Sequence, residues 1–213
     1  MSDHCIMTGS SRFRAFQSKD EYLNYVAGLR AIVPKDDLIV EFCRGKEVLD
    51  LGCVDHSLAR VEALGERFLH RRIQAVAKSL LGVDVLAPEV SKLNKAGYHI
   101  IVANVEALRL DRTFDVIVAG DLIEHLSNVG LFLESVERHM HDDSLCVITT
   151  PNPFNIEQSM IAIFESRIGV NAEHTCWIDP TVFYQLVERT GLAIVGFFWV
   201  ETRYKIPVYR RPY

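Results

Sequence analysis

The chain has 213 residues, a formal net charge of −5 and 49% hydrophobic residues. These values are typical of one globular domain, and the acidic balance argues against a nucleic-acid-binding protein or a polybasic membrane-surface protein. The five cysteines are scattered without a C-x-x-C pair, as is typical of reduced thiols inside the cell. No apolar run is long enough to cross a membrane and no signal pattern is present, so we expect a cytoplasmic protein.

The first elements in chain order are helical. We interpret residues 1–16 as a polar leader and residues 17–213 as a single domain. Ser18 and Glu21 have the spacing of a capping box, and the apolar residues after them recur at helical spacing. We therefore predict a helix that Pro34 ends, and a second short helix in the segment DDLIVEFCR.

Apolar segments of strand length follow. They are EVLDL, LLGVDV, HIIVA, FDVIVAG, SLCVITT and AIVGFFWV, and amphipathic helical segments separate most of them. This alternation predicts an α/β fold, a Rossmann-like doubly wound sheet of mostly parallel strands with helices on both faces. The tail YKIPVYRRPY would add a last strand, which we expect to be antiparallel because the link before it is too short for a helical crossover.

Polar or turn-forming residues follow five of these strands. They are Asp50 with Gly52, Asp84, Asn104 with Glu106, and the segments GDLIEH and TPNPFN. Ligands of open α/β sheets bind beyond the carboxyl ends of the strands, so the sequence predicts a binding site at this edge.

Three of these positions fit parts of a nucleotide ligand. A glycine such as Gly52 lets backbone N–H groups approach an anionic ligand closely. Asp84 can accept both hydroxyls of a ribose, or alternatively it caps the following helix. The amide of Asn104 and the backbone of Val105 can face an adenine edge, or alternatively they form a plain turn.

The motifs GKEVLDLGC, GVDV, ANVEAL, FDVIVAGDLIEHL and CVITTPNPF, in this order, resemble those of class I S-adenosylmethionine-dependent methyltransferases. The later segment EHTCWIDPTVFYQLVERTGL is similar to small-molecule O-methyltransferases, including the quinone-biosynthesis and sugar-modifying groups. The resemblance implies about seven strands with the last antiparallel, S-adenosylmethionine as cofactor and S-adenosylhomocysteine as product. The cofactor contacts that we expect are Asp50, Gly52, Cys53, His56, Asp84, Val85, Asn104, Val105, Glu106 and Ala119.

The first motif departs from this pattern. Val54 and His56 stand where a D-x-G-x-G-x-G loop has glycines. The 32 residues from Gly52 to Asp84 (84 − 52) exceed the roughly 20 of a compact strand–loop–helix–strand unit. We predict a wider loop after the first strand; the candidates for supplementary contacts in it are Asp55, His56 and His70. The alternative is a non-catalytic relative that acts as a binding module.

Two histidines are candidates for the catalytic base. His125 and His174 fall where the acceptor is expected, and an imidazole titrates near neutral pH. Alternatively, His125 is a capping or core residue and His174 an ordinary loop residue. The expected acceptor contacts are Asp121, Asn152, Phe154 and Trp177. The segment at about 153–176 is interpreted as a lid over the acceptor, with a packing helix or a dimer face as alternatives.

The segment HMHDD resembles a metal cluster, but it precedes a strand and so lies opposite the predicted site; we predict no metal. An NAD-dependent oxidoreductase is a weaker hypothesis, because G-x-G-x-x-G is absent from the sequence. We therefore expect methyl transfer to a small-molecule acceptor, at a hydroxyl of a sugar or another metabolite, and a homodimer is conceivable.

Overall fold

The computed structural model describes residues 3–9, 14–55, 57–152, 154, 160, 163–164 and 171–201. Its strands are β1 (Asp3–Gly9), β2 (Ile32–Pro34), β3 (Glu47–Leu51), β4 (Ser79–Asp84), β5 (Ile100–Val102), β6 (Phe114–Gly120), β7 (Met140–Thr150) and β8 (Ala193–Glu201). Its α-helices are α1 (Lys19–Gly28), α2 (Lys35–Cys43), α3 (Leu58–Leu64), α4 (Leu69–Gln74), α5 (Ala87–Lys95), α6 (Val129–Arg138) and α7 (Pro180–Val187). Short 3₁₀ helices cover Gly65–Arg67, Val105–Ala107 and Ile123–His125.

The described strands form one sheet in the order β2-β8-β1-β7-β6-β3-β4-β5. Neighbouring strands run parallel except at β1, which is antiparallel to both β7 and β8. The predicted Rossmann-like, mostly parallel α/β sheet is therefore confirmed, with eight strands in the described part. The tail that we expected to form an antiparallel last strand lies outside the described residues.

The interpretation of residues 1–16 as a polar leader is wrong, because this segment contains β1. Cys5 and Ile6 are fully buried between the flanking strands. The apolar run in β1 is only a few residues long, and its polar neighbours hide it from a search for strands. In the middle of the sheet that short run is sufficient, because main-chain hydrogen bonds on both sides hold the strand.

Helix α1 begins as predicted and ends earlier. The Ser18 hydroxyl accepts the N–H of Glu21, as in a capping box. The helix stops at Gly28, and Leu29 is already extended. Residues 32–34 then pair with β8 as β2, so the chain is extended before it reaches Pro34.

Helices cover both faces of the sheet, as predicted. Leu49 and Ile117 belong to a core shared with α1, α6 and α7. Val48 and Val116, one residue earlier on the same strands, belong to a second core shared with α2 and α4. Alternate residues of a strand point to opposite faces, and each fully buried aliphatic side chain contributes about 2 kcal/mol by leaving water.

The long connection after β3 forms additional helical structure, consistent with the predicted wider loop. It contains α3, a 3₁₀ turn and α4. Val54, Val61 and Phe68 of this connection are buried against Val90 and Leu93 of α5. Val54 thus belongs to a third, smaller core between this connection and α5, and a glycine in its place would leave a void there.

Candidate functional site

Asp84 closes β4 and is bonded to the chain on two sides. Its carboxylate accepts the N–H of Val54 at Oδ2 (2.8 Å) and the N–H of Leu86 at Oδ1 (3.0 Å). The side chain is buried, and burial raises the pKa of Asp84 while these N–H groups oppose the rise. The carboxylate therefore stabilises the turn before α5 but is not a cap of that helix, which has no side-chain cap, and each oxygen keeps a second lone pair for another donor.

The loop after β3 is fastened to β4. The N–H groups of Gly52 and Cys53 both point to the carbonyl of Val83, at 2.8 and 3.4 Å. Gly52 has a φ of 69°, and a Cβ there would lie 2.7 Å from Cδ1 of Leu122. The left-handed backbone conformation favours glycine at this position. Cys53 is buried beside it.

Asp50 is paired with a histidine from the long connection. Its Oδ2 lies 2.7 Å from Nδ1 of His70, and both side chains are buried. A Cβ at Gly82 would lie 2.8 Å from Cε1 of His70 and 2.7 Å from Sγ of Cys53. The His70 ring thus packs against Gly82, the one residue of β4 that has no side chain.

The other two candidates for supplementary cofactor contacts in this connection are Asp55 and His56. Asp55 forms an ion pair with Arg60. His56 lies outside the described residues. Of the three candidates, His70 is the one that the structure joins to an expected cofactor residue.

The residues that follow β4 and β5 present one apolar and one amide side chain to the surface. Val85, directly after Asp84, is 61% exposed, and Asn104 is exposed. The Asn104 side chain accepts the N–H of Glu106, while Val105 is buried. This arrangement can place a flat ring against Val85 with the Asn104 amide nitrogen as a donor at its edge.

Glu106, an expected cofactor contact, is hydrogen-bonded to the start of α6. Its Oε1 accepts the N–H of Asn128 at 2.7 Å, where Asn128 caps α6. The carboxylate therefore ties the loop after β5 to the start of α6. Ala119 is buried within β6 beside β3.

We call the carboxyl ends of β3, β4 and β5 together the β3–β4 end, and residues 119–126, 149–152 and 174–177 the β6–β7 end. Asp121, at the β6–β7 end, has a φ of 48°, which is uncommon outside glycine. It forms an ion pair with Lys35, and the hydroxyl of Thr149 donates to its Oδ1 at 2.9 Å.

Lys35 is almost completely buried at the start of α2. Burial alone would lower the pKa of Lys35, but the carboxylate of Asp121 outweighs it and raises this pKa. Sequence reasoning missed Lys35, because nothing in a single lysine after Pro34 indicates that it reaches the end of a distant strand.

His125 and His174 meet at the β6–β7 end. Their ring centroids are 4.8 Å apart and their planes are nearly perpendicular, at 88°. Glu124 joins them: one potential ligand atom from each of the three side chains lies within 4.8 Å of the others. We call these residues the Glu–His–His group. Trp177 lies beside it, 6.4 Å from the His174 ring centroid and partly exposed.

Glu124 is the buried member of this group, with 2% of its surface exposed. The hydroxyl of Thr150 donates to its Oε2 at 3.0 Å, and Oε1 has no partner among the described residues. Burial, and then the negative charge of Asp121, raise the pKa of Glu124 to about 8. The segment IEH contained this residue, but sequence reasoning selected only the histidine.

The remaining acceptor candidates lie on the loop after β7. Asn152 accepts the N–H of Phe154 and so shapes the turn, and the Phe154 ring is exposed. Phe154 lines a cavity of about 400 Å³ together with α1, the first turn of α7 and Trp199. Most of the segment interpreted as a lid, 153–176, lies outside the described residues.

The HMHDD segment lies away from the site. Nε2 of His139 accepts the N–H of Leu110 at 2.8 Å, and Nδ1 contacts the carbonyl of Ser135. His139 therefore holds the end of α6 in the core. Within the part of the chain that the structure describes, the Glu–His–His group alone has three side chains placed to share a metal ion.

Residues 28–196 match the profile of a protein family described as "Methyltransferase domain", which is more than half of the chain. The chain belongs to the class I S-adenosylmethionine-dependent methyltransferases. As a methyltransferase of this class it has S-adenosylmethionine as cofactor and S-adenosylhomocysteine as product. No helix in the described residues is long and apolar enough to span a membrane.

Two curated methyltransferases illustrate the range of relatives. The chain is 23% identical over 153 residues to the ubiquinone biosynthesis O-methyltransferase of Rickettsia akari, covering 70% of this chain and 59% of that protein. It is 28% identical over 104 residues to (S)-tetrahydroprotoberberine N-methyltransferase of Eschscholzia californica, covering 49% of this chain and 29% of that protein. The chain thus spans less than two thirds of the length of either relative.

Two solved structures share the fold. The YcgJ protein of Bacillus subtilis superposes with a TM-score of 0.52 at 16% identity, over 72% of this chain and 65% of that one. A putative methyltransferase of Bacillus halodurans C-125 gives the same TM-score at 13% identity, again over 72% and 65%.

The β3–β4 end fits the adenosine part of the cofactor. Asp84 has lone pairs left for ribose hydroxyls, and Val85, which follows it, and Val102, its partner on β5, expose apolar surface. The Leu122 side chain lies against Gly52, the residue expected near the methionine part of the cofactor. This contact involves the tip of a leucine, which a change of rotamer can move.

Proposed function

We propose that this methyltransferase transfers the methyl group to a hydroxyl of a small-molecule acceptor, a sugar or another metabolite. The observation that carries the proposal is the close assembly of Glu124, His125 and His174 at the β6–β7 end. A neutral amine is already nucleophilic, whereas a hydroxyl reacts well only when a nearby group removes its proton or lowers its pKa. A cluster of proton-accepting side chains therefore favours an oxygen acceptor.

The donor is assigned to the β3–β4 end. Asp84 accepts the ribose hydroxyls, and the adenine ring lies against Val85 with Asn104 at its edge. The methionine part crosses Gly52 toward the ion pair of Lys35 and Asp121. Asp121 is the neighbour of Leu122 in the chain, and Leu122 lies against Gly52. A cation and a carboxylate side by side match the opposite charges of an amino-acid end group.

The chain's own residues then orient the acceptor. When bound, the cofactor supplies an electrophilic sulfonium methyl group. The acceptor oxygen must be aligned behind this carbon, so that the new C–O bond forms as the C–S bond breaks and its electron pair stays on sulfur. His125 and His174 are the candidates that take the hydroxyl proton, and Trp177 limits the access of water.

The cavity beside α1 is assigned to the rest of the acceptor. Asp179, which lines the cavity, comes five positions after His174, so the two lie at most about 17 Å apart along an extended chain. Phe154 and Trp199 offer ring faces for a sugar or an aromatic group.

The five free thiols support a cytoplasmic location, and a homodimer stays a prediction.

Calorimetric titration with S-adenosylhomocysteine tests the site. We expect the wild type to bind this compound and not NAD. Asp84→Ala removes a charged acceptor and should weaken binding by about 100-fold, while exposed Asp142→Ala should leave binding unchanged. Transfer of a labelled methyl group from S-adenosylmethionine to a panel of phenols, sugars and amines then identifies the acceptor class. No binding by a cooperatively folded protein would contradict the proposal and favour a non-catalytic relative.

A further inference from the structure

One carboxylate oxygen at the β6–β7 end has no partner in the described part of the chain. Glu124 is buried, and Thr150 satisfies Oε2 but not Oε1. An unpaired buried carboxylate oxygen is costly, and buried charges in proteins are normally paired or coordinate metal ions. The position therefore calls for a proton or a cation on Oε1.

Two imidazoles are the side chains placed to share such a cation with Glu124. The potential ligand atoms of Glu124, His125 and His174 lie within 4.8 Å of one another. Two ligands of a tetrahedral Zn²⁺ ion lie about 3.4 Å apart, since each is about 2.1 Å from the ion. A contraction of at most about 1.4 Å, which side-chain rotation can supply, brings the three atoms onto a common centre.

We propose that the Glu–His–His group binds a divalent transition-metal ion of the Zn²⁺ or Mn²⁺ type. This replaces the sequence-based prediction of no metal, which rested on the HMHDD segment elsewhere. Imidazole nitrogen is a preferred ligand of zinc and its first-row neighbours, whereas Mg²⁺ and Ca²⁺ prefer sets made of oxygen. One carboxylate and two imidazoles leave a coordination position open, as catalytic zinc sites do.

The segments that carry the ligands are fastened to each other. The N–H of Thr175 donates to the carbonyl of Glu124 at 2.8 Å, and its hydroxyl contacts the carbonyls of Glu124 and Leu126 at 3.0 and 2.6 Å. His174 is therefore held beside the strand end that carries Glu124 and His125. These backbone contacts fix the spacing of the two segments, which reduces the rearrangement needed when an ion binds.

The role of the ion rests on the proposed function. An acceptor hydroxyl in the open position would coordinate the ion through oxygen and lose its proton to solvent more easily. The methyl group would then pass to that oxygen, with the C–S electron pair left on sulfur. His125 and His174 would act as ligands, and the ion would do the work that a base does otherwise.

Calorimetry on chelator-treated protein with ZnCl₂, MnCl₂ and MgCl₂ tests the site. We expect one Zn²⁺ per chain and at least tenfold weaker binding of Mg²⁺. Glu124→Gln and His174→Ala should each weaken Zn²⁺ binding at least tenfold, and exposed His99→Ala should leave it unchanged. Absence of Zn²⁺ binding, or equal binding by all variants, would overturn the inference.

Two controls separate this inference from the proposed function. Thermal melting shows whether Glu124→Gln and His174→Ala remain folded, and titration with S-adenosylhomocysteine shows whether the β3–β4 end still works. Intact cofactor binding without Zn²⁺ binding overturns the metal site alone. Zn²⁺ binding that depends on Glu124, in a protein that does not bind S-adenosylhomocysteine, supports the metal site and contradicts the proposed function.

Discussion

The two ends of the site satisfy their buried carboxylates in opposite ways. At the β3–β4 end, Asp50 is bonded to His70, and Asp84 accepts two backbone N–H groups. At the β6–β7 end, Glu124 is equally buried, but Oε1 has no partner in the described residues. The first region is complete before any ligand arrives, and the second is completed by what binds to it.

This difference indicates a division of labour. A region whose polar groups are bonded to its own backbone is rigid and can hold a large cofactor in one orientation. A region with an unsatisfied polar group makes its missing interaction only when a ligand binds, and the free protein is less stable without it. Substitutions at the two ends should therefore change stability differently.

The largest expected loss follows from breaking the Asp50–His70 pair. His70→Ala leaves the buried carboxylate of Asp50 without its partner, and we expect a loss of about 3 kcal/mol in the free energy of unfolding. Urea denaturation followed by circular dichroism measures it, with exposed His99→Ala as the matched control. A loss under about 1 kcal/mol would show that the β3–β4 end is less rigid than its hydrogen bonds indicate.

A smaller loss is expected from crowding the same region. Gly82→Ala places a Cβ within 2.8 Å of His70, Cys53 and Ile100, so we expect a loss of about 2 kcal/mol. Gly28→Ala is the control, because no atom lies within 4 Å of its added Cβ. Denaturation midpoints of the two variants should differ clearly; equal midpoints would mean that the loop yields easily around Gly82.

The smallest effect is expected at the β6–β7 end. Glu124→Gln keeps the shape of the side chain and an acceptor for Thr150, and it replaces the carboxyl group, whose Oε1 has no partner in the described residues, with a neutral amide. We expect the free energy of unfolding to change by less than about 1 kcal/mol in either direction. A loss of about 3 kcal/mol, measured in the same way, would indicate a partner for Oε1 and so remove the contrast between the two ends.

Local patterns predicted most of the sheet and part of the site. The six apolar segments became strands, and Gly52 and Asp84 lie where a chain that alternates strands and helices places its ligand contacts. Each of these features can be recognised from a few neighbouring residues of the sequence. β1 was missed because its apolar run is short and its burial comes entirely from strands far along the chain.

Side-chain pairings between distant segments were not predictable in the same way. Lys35 meets Asp121, and His70 meets Asp50, only after the sheet has formed. Lys35 in α2 and His70 in α4 each look like ordinary polar residues of a helix. The composition of the site could be approached from the sequence, whereas its connectivity depends on the tertiary fold.

The central position of β1 has a consequence for synthesis on the ribosome. Its partners are β7 and β8, and β8 is the last strand of the described chain. At 5–20 residues per second, roughly 10–40 s pass between translation of β1 and translation of β8. Until β7 is translated, both edges of β1 lack a neighbouring strand, and the edge that pairs with β8 lacks one for the whole of this time. A late translational pause should therefore lengthen the period in which the nascent chain is prone to aggregate.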